Sequence, residues 1–165
     1  MQQPDKILVR LADYSDTSDA AATVRLMQLY AEDPMGGGEG LPRFTVENLV
    51  ASLADFPGAF TLLAFNGHEA VGLMNCFTGF STFKCKPLIN IHDVIVVENW
   101  RGRGIAQRML RQVEAIARQR GCCKLTLEVL EGNTAARRAY AKAGFEDYRL
   151  APAAGVALFQ QKLID

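Results

Sequence analysis

The chain is short of the side chains that hold metals or run redox chemistry. It has 2 histidines, His68 and His92, and 4 cysteines, Cys76, Cys85, Cys122 and Cys123. No two cysteines are spaced C-x-x-C and no histidine pair accompanies them, so neither a metal site nor a redox centre is expected, and the cysteines read as small buried hydrophobes. An excess of one charge is also missing. Lys plus Arg and Asp plus Glu each number 18, for a formal net charge of +0, which leaves no global field to gather nucleic acid or an acidic membrane. Any preference for anions has to be local. No apolar run reaches the length of a membrane span, and the opening "MQQPDKILVR" lacks the basic region and apolar stretch of a secretory signal. A cytoplasmic protein that binds neither nucleic acid nor membrane is the expectation.

What the chain does have is an ordinary globular composition, 49% hydrophobic and 22% charged over 165 residues. That is enough apolar surface for one core, and residues 1–165 read as a single domain. "ILVRLAD" (7–13) has strand content, and "SDAAATVRLMQLYAED" (18–33) predicts a helix opened by a capping Ser or Asp. After the glycine-rich loop "PMGGGEGLPR", "FTVENLVASLADF" (44–56) predicts a second helix with Thr45 as its N-cap. "AFTLLAF" and "EAVGLMNCF" form an antiparallel hairpin about Asn66 and Gly67. Beyond the loop "STFKCKP", "LINIHDVIVV" (88–97) reads as a strand buried on both faces and "GIAQRMLRQVEAIARQRG" (104–121) as a long amphipathic helix stopped by Gly121. "CKLTLEV" is a further buried strand, parallel to the first in a βαβ unit. "NTAARRAYAKAG" predicts a short helix from Asn133 to Gly144, and "GVALFQQKL" (155–163) a last strand. The fold class is α/β, of the α+β kind: a mixed sheet flanked by about four helices.

One stretch stands apart. "ENWRGRGIAQRML" (98–110) places Arg101, Gly102, Arg103 and Gly104 at the first turn of the long helix. The first N–H groups of a helix lack intrahelical acceptors and the helix dipole adds positive charge there, so this end is suited to phosphate. Glycine lets the backbone approach the anion, and arginine adds charge-assisted contacts. The plain alternative is a solvated basic turn. A P-loop would need G-x-x-x-x-G-K-[ST], and a dinucleotide fingerprint would need a third glycine where Gln107 stands. Both fail.

R-x-x-G-x-A does fit, spelled by Arg101, Gly104 and Ala106 after a strand. This resembles the pyrophosphate-binding motif of the GNAT superfamily of acyl-CoA-dependent N-acetyltransferases. "LTLEVLEGNTAARRAYAKAGF" (125–145) is similar to the next strand and helix of that family, with Asn133, Tyr140, Gly144 and Phe145 in the family's places. The resemblance implies a central sheet in which two parallel strands splay apart around acetyl-CoA, with coenzyme A as product. It implies cofactor contacts from the backbone at Val94 and Val96, from Arg101, Gly102, Arg103, Gly104, Ile105 and Ala106, and from Asn133 and Tyr140.

The implied reaction is direct attack of a primary amine on a thioester, with Tyr140 as general acid. A phenol of pKa about 10 can protonate a leaving thiolate when geometry brings the two together; otherwise Tyr140 is a packing tyrosine. Relatives carry Glu-Asp where this chain has His92 and Asp93. Histidines titrate near neutral pH, so His92 is a candidate base, Asp93 is another, and a water chain is a third. Because neighbours on a strand point to opposite faces, only one of the pair is expected to face the acceptor. Glu32, Asp33 and Glu39 are candidates for recognising a cationic amine, and Phe77, Phe80 and Phe83 for packing its aliphatic part. A small-molecule amine is the expected partner. A peptide or protein N-acetyltransferase and a non-catalytic acyl-CoA sensor are the alternatives, and a homodimer joined by the last strand is a further expectation.

Overall fold

The computed structural model describes residues 6–164. By its own contacts the chain forms two compact units, one ending at Leu127 and one starting at Glu128.

The first unit is a five-stranded sheet in the order β1-β2-β3-β4-β5. Strands β1 (Ile7–Leu11), β2 (Ala59–Asn66), β3 (Glu69–Ser81) and β4 (Lys86–Val96) pair antiparallel in succession, and β5 (Leu125–Leu127) lies parallel to β4. The hairpin about Gly67 is as expected, with Asn66 paired to Glu69. Two adjacent residues of β3 identify the two layers. Leu73 packs with Leu26 and Met27 of helix α1 (Thr17–Glu32) and with Leu63 and Ile95. Gly72, pointing the other way, is tightly packed: an added Cβ would lie 3.2 Å from Met109 Cε and 3.3 Å from Ile105 Cγ2 of helix α3 (Ile105–Gln119). So α1 covers one face and α3 the other.

Helix boundaries follow local chemistry. Asp16 caps α1, its side chain accepting from the N–H groups of Ser18 and Asp19. Helix α3 ends at Gly121, which takes a φ of 66° while Cys122 N–H returns to the Ala117 carbonyl. Helix α2 (Arg43–Asp55) differs from expectation. It begins after Pro42, an N-cap residue that has no polar side chain to offer, and Thr45 lies inside the first turn.

The strands depart from expectation in one common way. β4 is not buried on both faces: Ile89, Ile91 and Ile95 are buried, but His92 is exposed. β5 spans three residues, none fully buried. In the second unit, α4 (Thr134–Lys142) runs as expected from its cap at Asn133 to Gly144, but residues 155–163 form no strand. Strand-forming side chains need a partner edge, and among the described residues of this unit there is none.

Candidate active site

The registers of β4 contain one irregularity, and it falls on the candidate residues. Ile91 pairs with Cys76 and Asp93 with Asn75, so two residues of β4 are spanned for one of β3 and His92 is the extra residue of a β-bulge. Cys76 and Asn75 point to opposite faces of β3, so Ile91 and Asp93 do as well, although two apart. The bulge also decides where His92 goes. Its ring meets Phe77 edge-on, with centroids 5.4 Å apart, and Phe77 shares a face with Asn75, the partner of Asp93. His92 and Asp93 therefore look out on the same side of the sheet, against the alternation expected of a regular strand.

The bulge sits where β4 parts from β5. Their parallel pairing runs from Ile89 with Leu125 to Ile91 with Leu127 and stops there, while β4 continues to Val96 alongside β3. An extra residue bends the strand that carries it. The parallel pair that the family resemblance implies is thus joined over three residues only.

Around the two side chains stand residues from three elements. Asp93 Oδ2 accepts from Asn75 Nδ2 at 3.0 Å. Phe56, at the end of α2, meets Phe77 edge-on at 5.5 Å and extends the aromatic edge. Tyr30 of α1 is half-buried, and its phenol is pushed up first by burial, then by the negative charges of Asp93 and Asp33. The thiol of Cys76 is pushed up to about 12, chiefly by burial, which leaves it protonated and unfit as a nucleophile.

After β4 the chain turns through Glu98–Trp100 into α3. Gly102 and Gly104 have φ of 77° and 76°, values that favour glycine, and a Cβ added at either would meet nothing within 4 Å. Gly104 is the N-cap of α3 and offers no side-chain cap. The result is an open, amide-lined helix end, which fits a pyrophosphate in shape and polarity. Ile105 is buried beneath it and Ala106 half-buried. Arg103 lies over the Trp100 ring, 4.6 Å from its centroid. Arg101 has protein partners of its own: its Nε donates to the Val96 carbonyl at 3.0 Å and its Nη2 to Asp33 Oδ2 at 2.9 Å. Asp33 is held below the ordinary carboxylate value first by the Met35 N–H and then by this guanidinium. One backbone acceptor expected to be open, at Val96, is thus already engaged, while Val94 lies on the stretch of β4 beyond its pairing with β5.

The first unit accordingly gathers His92, Asp93, Val94, Val96 and residues 101–106 along one strand and the turn after it. Asn133 and Tyr140 belong to the second unit. There Asn133 caps α4, its Oδ1 accepting from Ala136 N–H at 3.1 Å, and the Tyr140 ring meets Phe145 with centroids 5.9 Å apart. Of the candidate acceptor residues, Phe77 adjoins His92, but Phe80 and Phe83 are mostly exposed farther along the β3–β4 hairpin. Sequence reasoning missed Asn75, Phe56 and Tyr30. The bulge that brings the first of these beside the site residues has no signal in composition.

Residues 23–145 match the model of the acetyltransferase (GNAT) family. An "uncharacterized N-acetyltransferase" of Bacillus subtilis, YhfO, is 29% identical over 136 residues, covering 79% of this chain and 86% of that protein. A thialysine N-epsilon-acetyltransferase of Bos taurus is 28% identical over 142 residues, covering 86% and 76%. Among solved structures, an aminoglycoside acetyltransferase from an uncultured soil metagenomic sample superposes with a TM-score of 0.75 over 95% of this chain and 96% of its own, at 17% identity, a likeness of fold.

Proposed function

The chain belongs to the acetyltransferase (GNAT) family and is an acyltransferase; from that premise we propose that it transfers an acetyl group from acetyl-CoA to a primary amine of a small molecule. The observation that carries this reading is the open glycine turn at the start of α3, placed directly after a strand that leaves its parallel neighbour at His92 and Asp93. Acetyl-CoA, when bound, supplies the thioester whose acetyl group is transferred. Gly102, Gly104, Ile105 and Ala106 offer backbone N–H groups and Arg103 a guanidinium to its pyrophosphate. Arg101 joins them if Asp33 releases it. The backbone at Val94, and at Val96 once Arg101 leaves its carbonyl, takes the amide-bearing arm as a strand edge takes another strand.

Direct attack needs no enzyme nucleophile, and the Cys76 thiol, buried and held protonated, supports that route. Asp93 or His92 takes the proton of the acceptor ammonium, directly or through water. Tyr140, with Asn133 beside it in the family pattern, gives a proton to the leaving sulfur. The acidic and aromatic surroundings of Asp93 suit a cation with an apolar arm, and the named activity of the bovine relative supports a small diamine or amino acid as acceptor. We read residues 1–165 as one catalytic domain, which the single family match over residues 23–145 supports. We read it as cytoplasmic and as a homodimer, the latter supported by exposed Val156, Leu158 and Phe159; among the described residues no helix is long and apolar enough to cross a membrane.

The test is a mass-spectrometric screen of acetyl-CoA against thialysine, lysine, spermidine, aminoglycosides and short peptides. Acetylated small amine, slowed about 100-fold or more by Tyr140→Phe, is the expected result. Acetylation of peptides alone would move the acceptor to protein, and tight acetyl-CoA binding without any turnover would make the chain a sensor.

A further inference from the structure

Asn75 lies in the middle of β3 at 2% exposure, where an amide costs stability unless every one of its polar atoms is paired. Here each is. Its Nδ2 donates to Asp93 Oδ2 at 3.0 Å and to Met27 Sδ at 3.2 Å, and its Oδ1 accepts from Thr61 Oγ1 at 2.6 Å. Thr61, on β2 and 1% exposed, spends its one hydroxyl hydrogen on Asn75. It must therefore accept from the Tyr14 hydroxyl, 2.7 Å away. Burial pushes the Tyr14 phenol up and keeps it a donor. Hydrogen bonds thus run in one direction, from Tyr14 to Thr61 to Asn75 to Asp93, across three strands. Turning the Asn75 amide over would lose its bonds to Asp93 and Met27 and set Oδ1 against the Asp93 carboxylate. The amide cannot readily hand on a proton, so the chain orients its last member without conducting to it.

We propose that Asn75 is a positioning residue for acetyl transfer: held by Thr61 and Tyr14, it fixes one oxygen of the Asp93 carboxylate and so aims the other at the acceptor amine. This rests on the reading above in which Asp93 meets that amine. The bulge at His92 is what makes it work, since in a regular strand Asp93 would turn away from Asn75.

The experiment is steady-state kinetics with thialysine, lysine and spermidine as acceptors for Asn75→Leu, Thr61→Val, Asp93→Asn and the two doubles with Asp93→Asn. Asp93→Asn is expected to lower kcat about 100-fold. Asn75→Leu should lower kcat/KM for the acceptor about 10-fold with the KM for acetyl-CoA within about 2-fold of wild type. In the Asp93→Asn background neither Asn75→Leu nor Thr61→Val should have more than about a 2-fold effect, because what they aim is already gone. Should Asn75→Leu fail to fold, the near-isosteric Thr61→Val carries the same comparison. Equal losses in both backgrounds, or losses shared equally with acetyl-CoA, would make Asn75 a packing residue and overturn the proposal. Full activity of Asp93→Asn would remove Asp93 from the acceptor site while leaving acetyl transfer standing. No turnover of any of the three amines would overturn the acceptor reading and this inference with it.

Discussion

Asp19 shows how one side chain can tie a strand to a helix. It is 1% exposed in the first turn of α1 and accepts from Arg10 Nη1 at 2.6 Å, from Arg10 Nη2 at 2.7 Å and from Asp13 N–H at 2.9 Å. Arg10 is the main reason its pKa is held below the ordinary carboxylate value. A depressed folded-state pKa stabilises the protein above the unfolded value and loses that contribution as pH falls through the folded one. Asp19→Asn should therefore cost about 2 kcal/mol at neutral pH, given that Arg10 keeps some solvent. In urea melts the difference between mutant and wild type should shrink as the pH is lowered through the acid range. A constant difference would mean that packing, not charge, is what Asp19 supplies. Asp19 was legible in the sequence only as a possible cap; its partner Arg10 is brought to it by the β1–β2 register.

Elements whose ends are decided by local chemistry were legible. Gly104, Gly121, Asn133 and Gly144 mark helix ends in the sequence and in the structure alike, because an αL residue or an N-cap acts within a few residues of itself. Gly104→Ala places a Cβ on a φ of 76°. It should cost about 1 kcal/mol of stability and weaken acetyl-CoA binding several-fold in calorimetry, whereas an unchanged affinity would detach this turn from the cofactor. The bulge offers a sharper contrast. His92→Ala keeps the extra residue and should retain far more acetyl transfer than deletion of His92, which leaves Asp93 opposite Asn75 but removes the bulge and the bend it puts in β4. If the two variants lose activity equally, the imidazole matters and the bulge does not. Thr45 failed as a cap because Pro42 starts α2 earlier.

At the scale of the whole chain, zero net charge removes general attraction to polyanions, so anion binding has to come from one local turn. Acetyl-CoA at 100 times its Kd should then stabilise the fold by about 2.7 kcal/mol, a rise in Tm of about 5–10 °C for a protein of this size. Differential scanning calorimetry reads this directly, and an unmoved Tm would show that the turn is only a bend.

Amino-acid order alone determined the succession of strands and helices as far as Gly144, the hairpin, the parallel partner of β4 and the glycine turn at the start of α3, since each depends on periodicity or on the backbone freedom of nearby residues. Only the tertiary structure decided that His92 is an inserted residue, that it and Asp93 share a face, and that Asn75, Thr61 and Tyr14 stand behind that carboxylate. It also decided that residues 155–163, despite their strand-like content, form no strand. Register and pairing are long-range choices: they depend on which edge another segment offers, and no window of sequence contains both sides of that contact.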